Sequence, residues 1–160
     1  MNRPDMLAGR DRTSRNAGGR NMKYLRAKVE TATPTQLIVM LYDGAVRFCS
    51  LAAEAMAIHN FEEQNINIKR AEDIVCELMG SLNQEAGGEV AANLLRIYTY
   101  LYQELVQANL NDDIEALKRV LVHLEALRES WVELDKQARA GTVTSSPSTD
   151  NKQRLGDFNA

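Results

Sequence analysis

The chain has 160 residues, 44% hydrophobic and 26% charged, which is the balance of one soluble domain able to bury a core without disulfides or metals. Its net charge of −3 divides unevenly: residues 1–23 hold six basic groups against Asp5 and Asp11, and the remainder holds 13 basic against 20 acidic residues. An acidic body repels phosphate and argues against nucleic acid as the main partner. No run approaches the roughly 18–20 apolar residues expected of a span inserted in a membrane.

The opening, MNRPDMLAGRDRTSRNAGGRN, has arginines but no apolar run, so it does not read as a secretory leader. Without apolar residues to bury, residues 1–23 are expected to be a disordered basic tail. Met22 to Val29 then forms a short amphipathic piece. It is expected to lie across an apolar groove as a cap and to leave when a ligand arrives.

The first long helix opens at Thr33-Pro34-Thr35-Gln36. A threonine at the cap accepts from a free backbone N–H, the glutamine three residues later reaches back, and proline at the first helical position loses nothing. Leu37, Leu41, Ala45, Phe48, Ala52 and Ala55 recur at steps of three and four and define its core stripe. Yet 17 of the 25 residues from Pro34 to Ile58 are apolar, whereas a core-facing helix needs about three in seven. Ile38, Tyr42, Cys49 and Ala53 make a second apolar face, expected to be covered by the N-terminal segment or by another protein. Gly44, in mid-helix, costs about 1 kcal/mol against alanine, and close approach by a neighbouring helix or by a partner would account for it.

The second helix starts at Asn60-Phe61-Glu62-Glu63 and runs through Ile68, Ala71, Val75, Leu78 and Leu82. Gly87-Gly88 breaks the chain before a third, striped by Ala91, Leu94, Tyr98, Leu101, Leu105 and Ala108. The fourth begins at Asn111-Asp112-Asp113, acids suited to the positive end of a helix, and carries Ile114, Leu117, Leu121, Leu124, Trp131 and Leu134. Gly141 reads as its stop. Long helices on short links must alternate in direction, so the fold class is all-α: an antiparallel up-down-up-down four-helix bundle over residues 24–140. The Ser/Thr/Pro-rich residues 141–160 are expected to be a second disordered tail.

Chemistry is harder to find. Cys49 and Cys76 sit inside apolar helical patterns and read as buried thiols of a reducing cytoplasm. His59 and His123 follow Met56 and Val120 by three, so the Glu-x-x-His signature of metal-binding bundles is missing. No phosphate loop or zinc spacing occurs. An enzyme is not expected. The alternative retained is a phosphotransfer or regulatory bundle acting through His123, although Leu124-Glu125-Ala126 follows it where a lysine and a glycine would suit that role.

The run Thr31-Ala32-Thr33-Pro34-Thr35-Gln36-Leu37-Ile38-Val39-Met40-Leu41-Tyr42-Asp43-Gly44 resembles the flagellar export chaperone family FliS. Tyr24 and Val29 before it agree, as do Asn65, Lys69, Ser81-Leu82-Asn83, Tyr98-Thr99-Tyr100, Ala108-Asn109, Leu127-Arg128 and Trp131 after it. The resemblance implies a cofactor-free helical bundle in the bacterial cytosol. It also implies binding of the disordered C-terminal segment of flagellin, which blocks premature polymerisation, and delivery to a flagellar export gate component. The physics is helix-in-groove recognition. On this reading Tyr24 and Val29 cap the groove in the free state, and Ile38, Tyr42 and Val46 face the client. Asp43 and Arg47, four apart, form a local ion pair or touch client backbone. Free of its client, the chain is expected to be a monomer or a weak homodimer.

Overall fold

Thr33 fixes the register of the first bundle helix. Its Oγ1 accepts from the Gln36 backbone N–H at 3.2 Å, and Gln36 Oε1 accepts from the Thr33 N–H at 3.0 Å. This is the reciprocal capping expected from the sequence. In the computed structural model, which describes residues 13–144 (side chains from 19 to 141), five helices follow one another. They are α1 (Thr13–Thr31), α2 (Pro34–Ala57), α3 (Phe61–Gly80), α4 (Gln84–Asn111) and α5 (Ile114–Thr144). Asn60 Oδ1 accepts from the Glu63 N–H at 3.2 Å and Asn83 Oδ1 from the Ala86 N–H at 3.0 Å, capping α3 and α4 without the reciprocal bond. Asp113 Oδ1 accepts from the N–H groups of Glu115 and Ala116, both at 3.0 Å.

Helices α2 to α5 form a closed ring: α2 packs on α3 and α5, and α4 completes the square against the same two. The pairing is antiparallel, because Gln64 at the start of α3 meets Asn109 at the end of α4, and Arg119 near the start of α5 meets Glu104 late in α4. The centre is filled by Tyr42, Cys49, Ile68, Val75, Leu78, Tyr98, Leu101, Leu105, Leu117 and Leu124, all essentially solvent-free. Small buried residues (Ala45, Ala52, Ala71, Ala108, Ala116) let the helices approach between these bulkier layers. The four-helix bundle expected from the pattern is the fold observed.

Several local expectations need correction. Residues 13–23, read as part of a disordered tail, are helical from Thr13; no proline interrupts the chain between Pro4 and Pro34, so the amphipathic run at 22–29 propagates a helix backwards. Gly141 does not stop α5, which continues to Thr144, since nothing there demands a left-handed residue. The parts of both tails at 1–12 and 145–160 lie outside the described residues. Gly87-Gly88 does break the helix as expected: within α4 the backbone leaves helical geometry at Gly88 (φ 51°, ψ −126°), and the long helix runs on from Glu89. Leu37 and Leu134, assigned to core stripes, are exposed.

α2, whose apolar excess is plain in the sequence, is the one described helix long and apolar enough to cross a membrane. Six of its residues, Tyr42, Ala45, Cys49, Ala52, Ala55 and Met56, are instead buried in the bundle.

A Cβ on Gly44 would stand 3.0 Å from Ile74 Cδ1 on α3, so the neighbouring helix accounts for the glycine. Gly44→Ala is expected to change stability by less than about 1 kcal/mol, because better helix propensity offsets a small displacement of Ile74. Gly44→Leu forces α2 and α3 apart and is expected to cost about 1–3 kcal/mol, read from urea midpoints.

Candidate functional site

The N-terminal half of α2 and the C-terminal half of α5 do not close completely. A groove of about 520 Å³ opens along their seam, and the end of α1 forms its third wall. Val39 and Met40 on α2 and Val132 on α5 supply apolar lining, all three half-buried. Charged groups of both signs surround them: Lys28, Asp43, Asp135, Lys136 and Arg139. Asp135 is paired with Arg139 at 2.8 Å. An apolar floor with a mixed polar rim suits an amphipathic peptide better than a small anion.

The residues singled out in the sequence fall in three places. Tyr24 and Val29 stand on α1, where they are exposed, as is every side chain from Gly19 through Thr31. α1 keeps these side chains in solvent and does not lie along the groove as a cap; only its last turn, at Lys28 and Thr31, reaches the groove. Ile38 and Val46 are half-buried and pack against the core.

Tyr42, expected to face a client, is fully buried. Its hydroxyl lies 2.5 Å from that of Tyr98 on the diagonally opposed α4, with the rings tilted and 6.5 Å apart. Burial raises both phenols above their ordinary range. The contact with Tyr98 raises Tyr42 further, and the Trp131 side chain opposes that shift in part. Cys49, also assigned to the outward face, is buried and its thiol is pushed up to about 12 by burial, whereas Cys76, expected to be buried, is exposed on α3. The second apolar face of α2 is therefore largely core: α2 touches both α3 and α5, and Tyr42 and Cys49 point between them.

Asp43 does not pair with Arg47. It forms an ion pair with Arg128 on α5, which ties the two groove-forming helices one turn beyond Met40. Arg47 instead lays its guanidinium over the Phe48 ring at 5.8 Å, and Arg70 from α3 lies over the same ring at 5.4 Å.

The groove residues that the sequence reading missed, Val39, Met40 and Val132, follow from a simple signal. Gln36, Val39, Met40 and Asp43 recur at helical steps, as do Val132, Asp135, Lys136 and Arg139. Each set marks a stripe displaced from the core stripe toward the partner helix. His123 is exposed on α5, with its ring edge-on to Tyr100 at 5.8 Å. Among the described residues no group of three His, Cys, Asp or Glu is placed to hold a metal ion.

Residues 16–138 match the family model described as "Flagellar protein FliS". The chain is 34% identical over 122 residues to the flagellar secretion chaperone FliS of Bacillus subtilis, covering 74% of this chain and 90% of that protein. It is 35% identical over 111 residues to the FliS of Campylobacter jejuni, covering 69% and 87%. With the FliS of Salmonella typhimurium the identity is 33% over 115 residues, covering 71% and 85%.

Proposed function

Because the chain belongs to the FliS family of flagellar secretion chaperones, we propose that it binds the disordered C-terminal segment of flagellin in the bacterial cytosol. There it masks the segment against premature polymerisation and hands it to a component of the flagellar export gate. The family is one of chaperones and not of enzymes, and its coarse role in flagellar secretion is carried by the relatives' names. The observation that supports the finer reading is the groove on the α2–α5 seam, with its apolar lining of Val39, Met40 and Val132. The exposed α1 beside it, bearing Tyr24 and Val29, extends the apolar surface.

Ordering a flexible client costs roughly 2–5 kcal/mol or more, so a single groove of this size is too small to carry the whole affinity. The client must run on over neighbouring surface, and Ile38 and Val46 at the bundle edge, with Asp43 and Arg47, lie on that path along α2. Tyr42 contributes from within, by fixing α2 against α4.

Calorimetry with purified flagellin tests the reading. One-to-one binding to intact flagellin, lost when the C-terminal segment is removed, is the expected result. Equal binding to both forms, or to neither, would overturn it.

A further inference from the structure

We propose that α1 of one chain docks on the opposite, acidic end of a second copy, so that chains associate head to tail. α1 stands outside the ring of four helices, with every side chain from Gly19 to Thr31 exposed. It carries Arg15, Arg20, Lys23, Arg26 and Lys28 against Glu30 alone. Met22, Leu25 and Val29, spaced three and four apart, make one exposed apolar stripe among these charges. The bundle is of opposite sign: residues 34–140 hold 17 acidic and 9 basic groups.

The complementary surface is at the far end, where α2 passes into α3 and α4 into α5. Ile58, Phe61 and Leu110 are exposed there at 73%, 55% and 72%. Glu62, Glu63, Asp112, Asp113 and Glu115 stand around them, opposed by Lys118. The two loops form one surface because side chains tie them together. Gln64 Nε2 donates to Asp112 Oδ1 at 2.7 Å, and Asn109 Nδ2 donates to Asn65 Oδ1 at 2.8 Å.

Length decides that the occupant is another molecule. α2 spans 24 residues, about 36 Å at 1.5 Å per residue. Met22 stands 11 residues before Thr33, about 17 Å along a helix. A chain's own α1 therefore cannot bring its apolar stripe to its own far end without unfolding. The two contacting surfaces differ, so the contact is heterologous and leaves a free donor and a free acceptor on every pair. Built from one helix and three exposed apolar side chains among surface charges, it is small and salt-sensitive.

Sedimentation of the full chain over a concentration series tests this. Reversible association is expected, weakening about tenfold between about 0.05 M and about 0.5 M salt. The charge reversals K23E/R26E and E62K/E63K are each expected to leave the chain monomeric, and an equimolar mixture of the two variants to associate again. Leu110→Ser, which leaves the helix start untouched, is expected to weaken association as E62K/E63K does, with an unchanged circular dichroism melt. A wild-type chain that stays monomeric throughout would overturn the proposal. So would an association that survives both reversals, or one abolished by K23E/R26E and indifferent to both E62K/E63K and Leu110→Ser, which would seat α1 elsewhere on the second copy.

Discussion

Tyr98→Ala is expected to destabilise the bundle by about 3–5 kcal/mol, the cost of removing a buried aromatic ring from a packed centre. The ring is 1% exposed and stands between α4 and the diagonally opposed α2, where no neighbour on a single helix can fill the space. The hydroxyl pair makes a finer test. Tyr42→Phe leaves the Tyr98 hydroxyl buried beside a hydrocarbon and is expected to cost about 1–3 kcal/mol. Y42F/Y98F removes both partners and should cost clearly less than the two single changes added together. Urea midpoints at constant slope measure all three.

The phenols also set a pH window. Folding holds both protonated above their ordinary range, so their contribution is complete below the unfolded value of about 10 and declines as pH rises from there toward the raised folded values. The double phenylalanine variant loses that part of the alkaline fall. Equal additive costs, or an alkaline profile unmoved by the double change, would show that the pair contributes no coupling.

M40D and V132D are each expected to weaken flagellin binding at least about tenfold, and together about a hundredfold or more, if both side chains anchor the client in the α2–α5 groove. A carboxylate placed on an apolar floor must be desolvated when the client docks, and the client offers it no partner. Both positions are half-buried and outside the central cluster, so the melts should stay close to wild type. Tyr42→Phe is the contrasting variant: being wholly inside, it should shift stability and leave affinity within about twofold once the protein is folded. Calorimetry on the three variants separates a groove from a core. Full affinity in M40D/V132D would move the client to another face.

The helix starts were legible because capping is local chemistry: Thr33, Asn60 and Asp113 act on backbone groups two or three residues away. The core stripes were legible wherever a helix has one packed face. α2 was misread because it has two, and periodicity cannot tell an apolar face turned to a third helix from one turned to solvent. Tyr42 and Tyr98, 56 residues apart, meet across the bundle diagonal, a distance no local pattern reports. The same limit hid the partner of Asp43: Arg47 is at the right spacing on one helix, but Arg128 arrives from another and completes a tie between two helices. The groove was missed for want of depth, since Val39 and Met40 sit in an almost continuous apolar run and only the seam with α5 distinguishes them.

Three sides of the ring join helices that follow each other along the chain, and the fourth, α2 against α5, joins its first and last members. The first three close over short loops and form at small entropic cost. The last must gather everything between Ala57 and Ile114 before its contacts reward it. That seam therefore closes late in folding, in the order the topology sets, and it is also the first to part in a partial opening that leaves the consecutive hairpins intact. The groove and the Asp43–Arg128 tie both sit on it, so a nascent chain that has made its hairpins still lacks the surface proposed to take the client. Competence is delayed until the C-terminal half of α5 has been synthesised and seated.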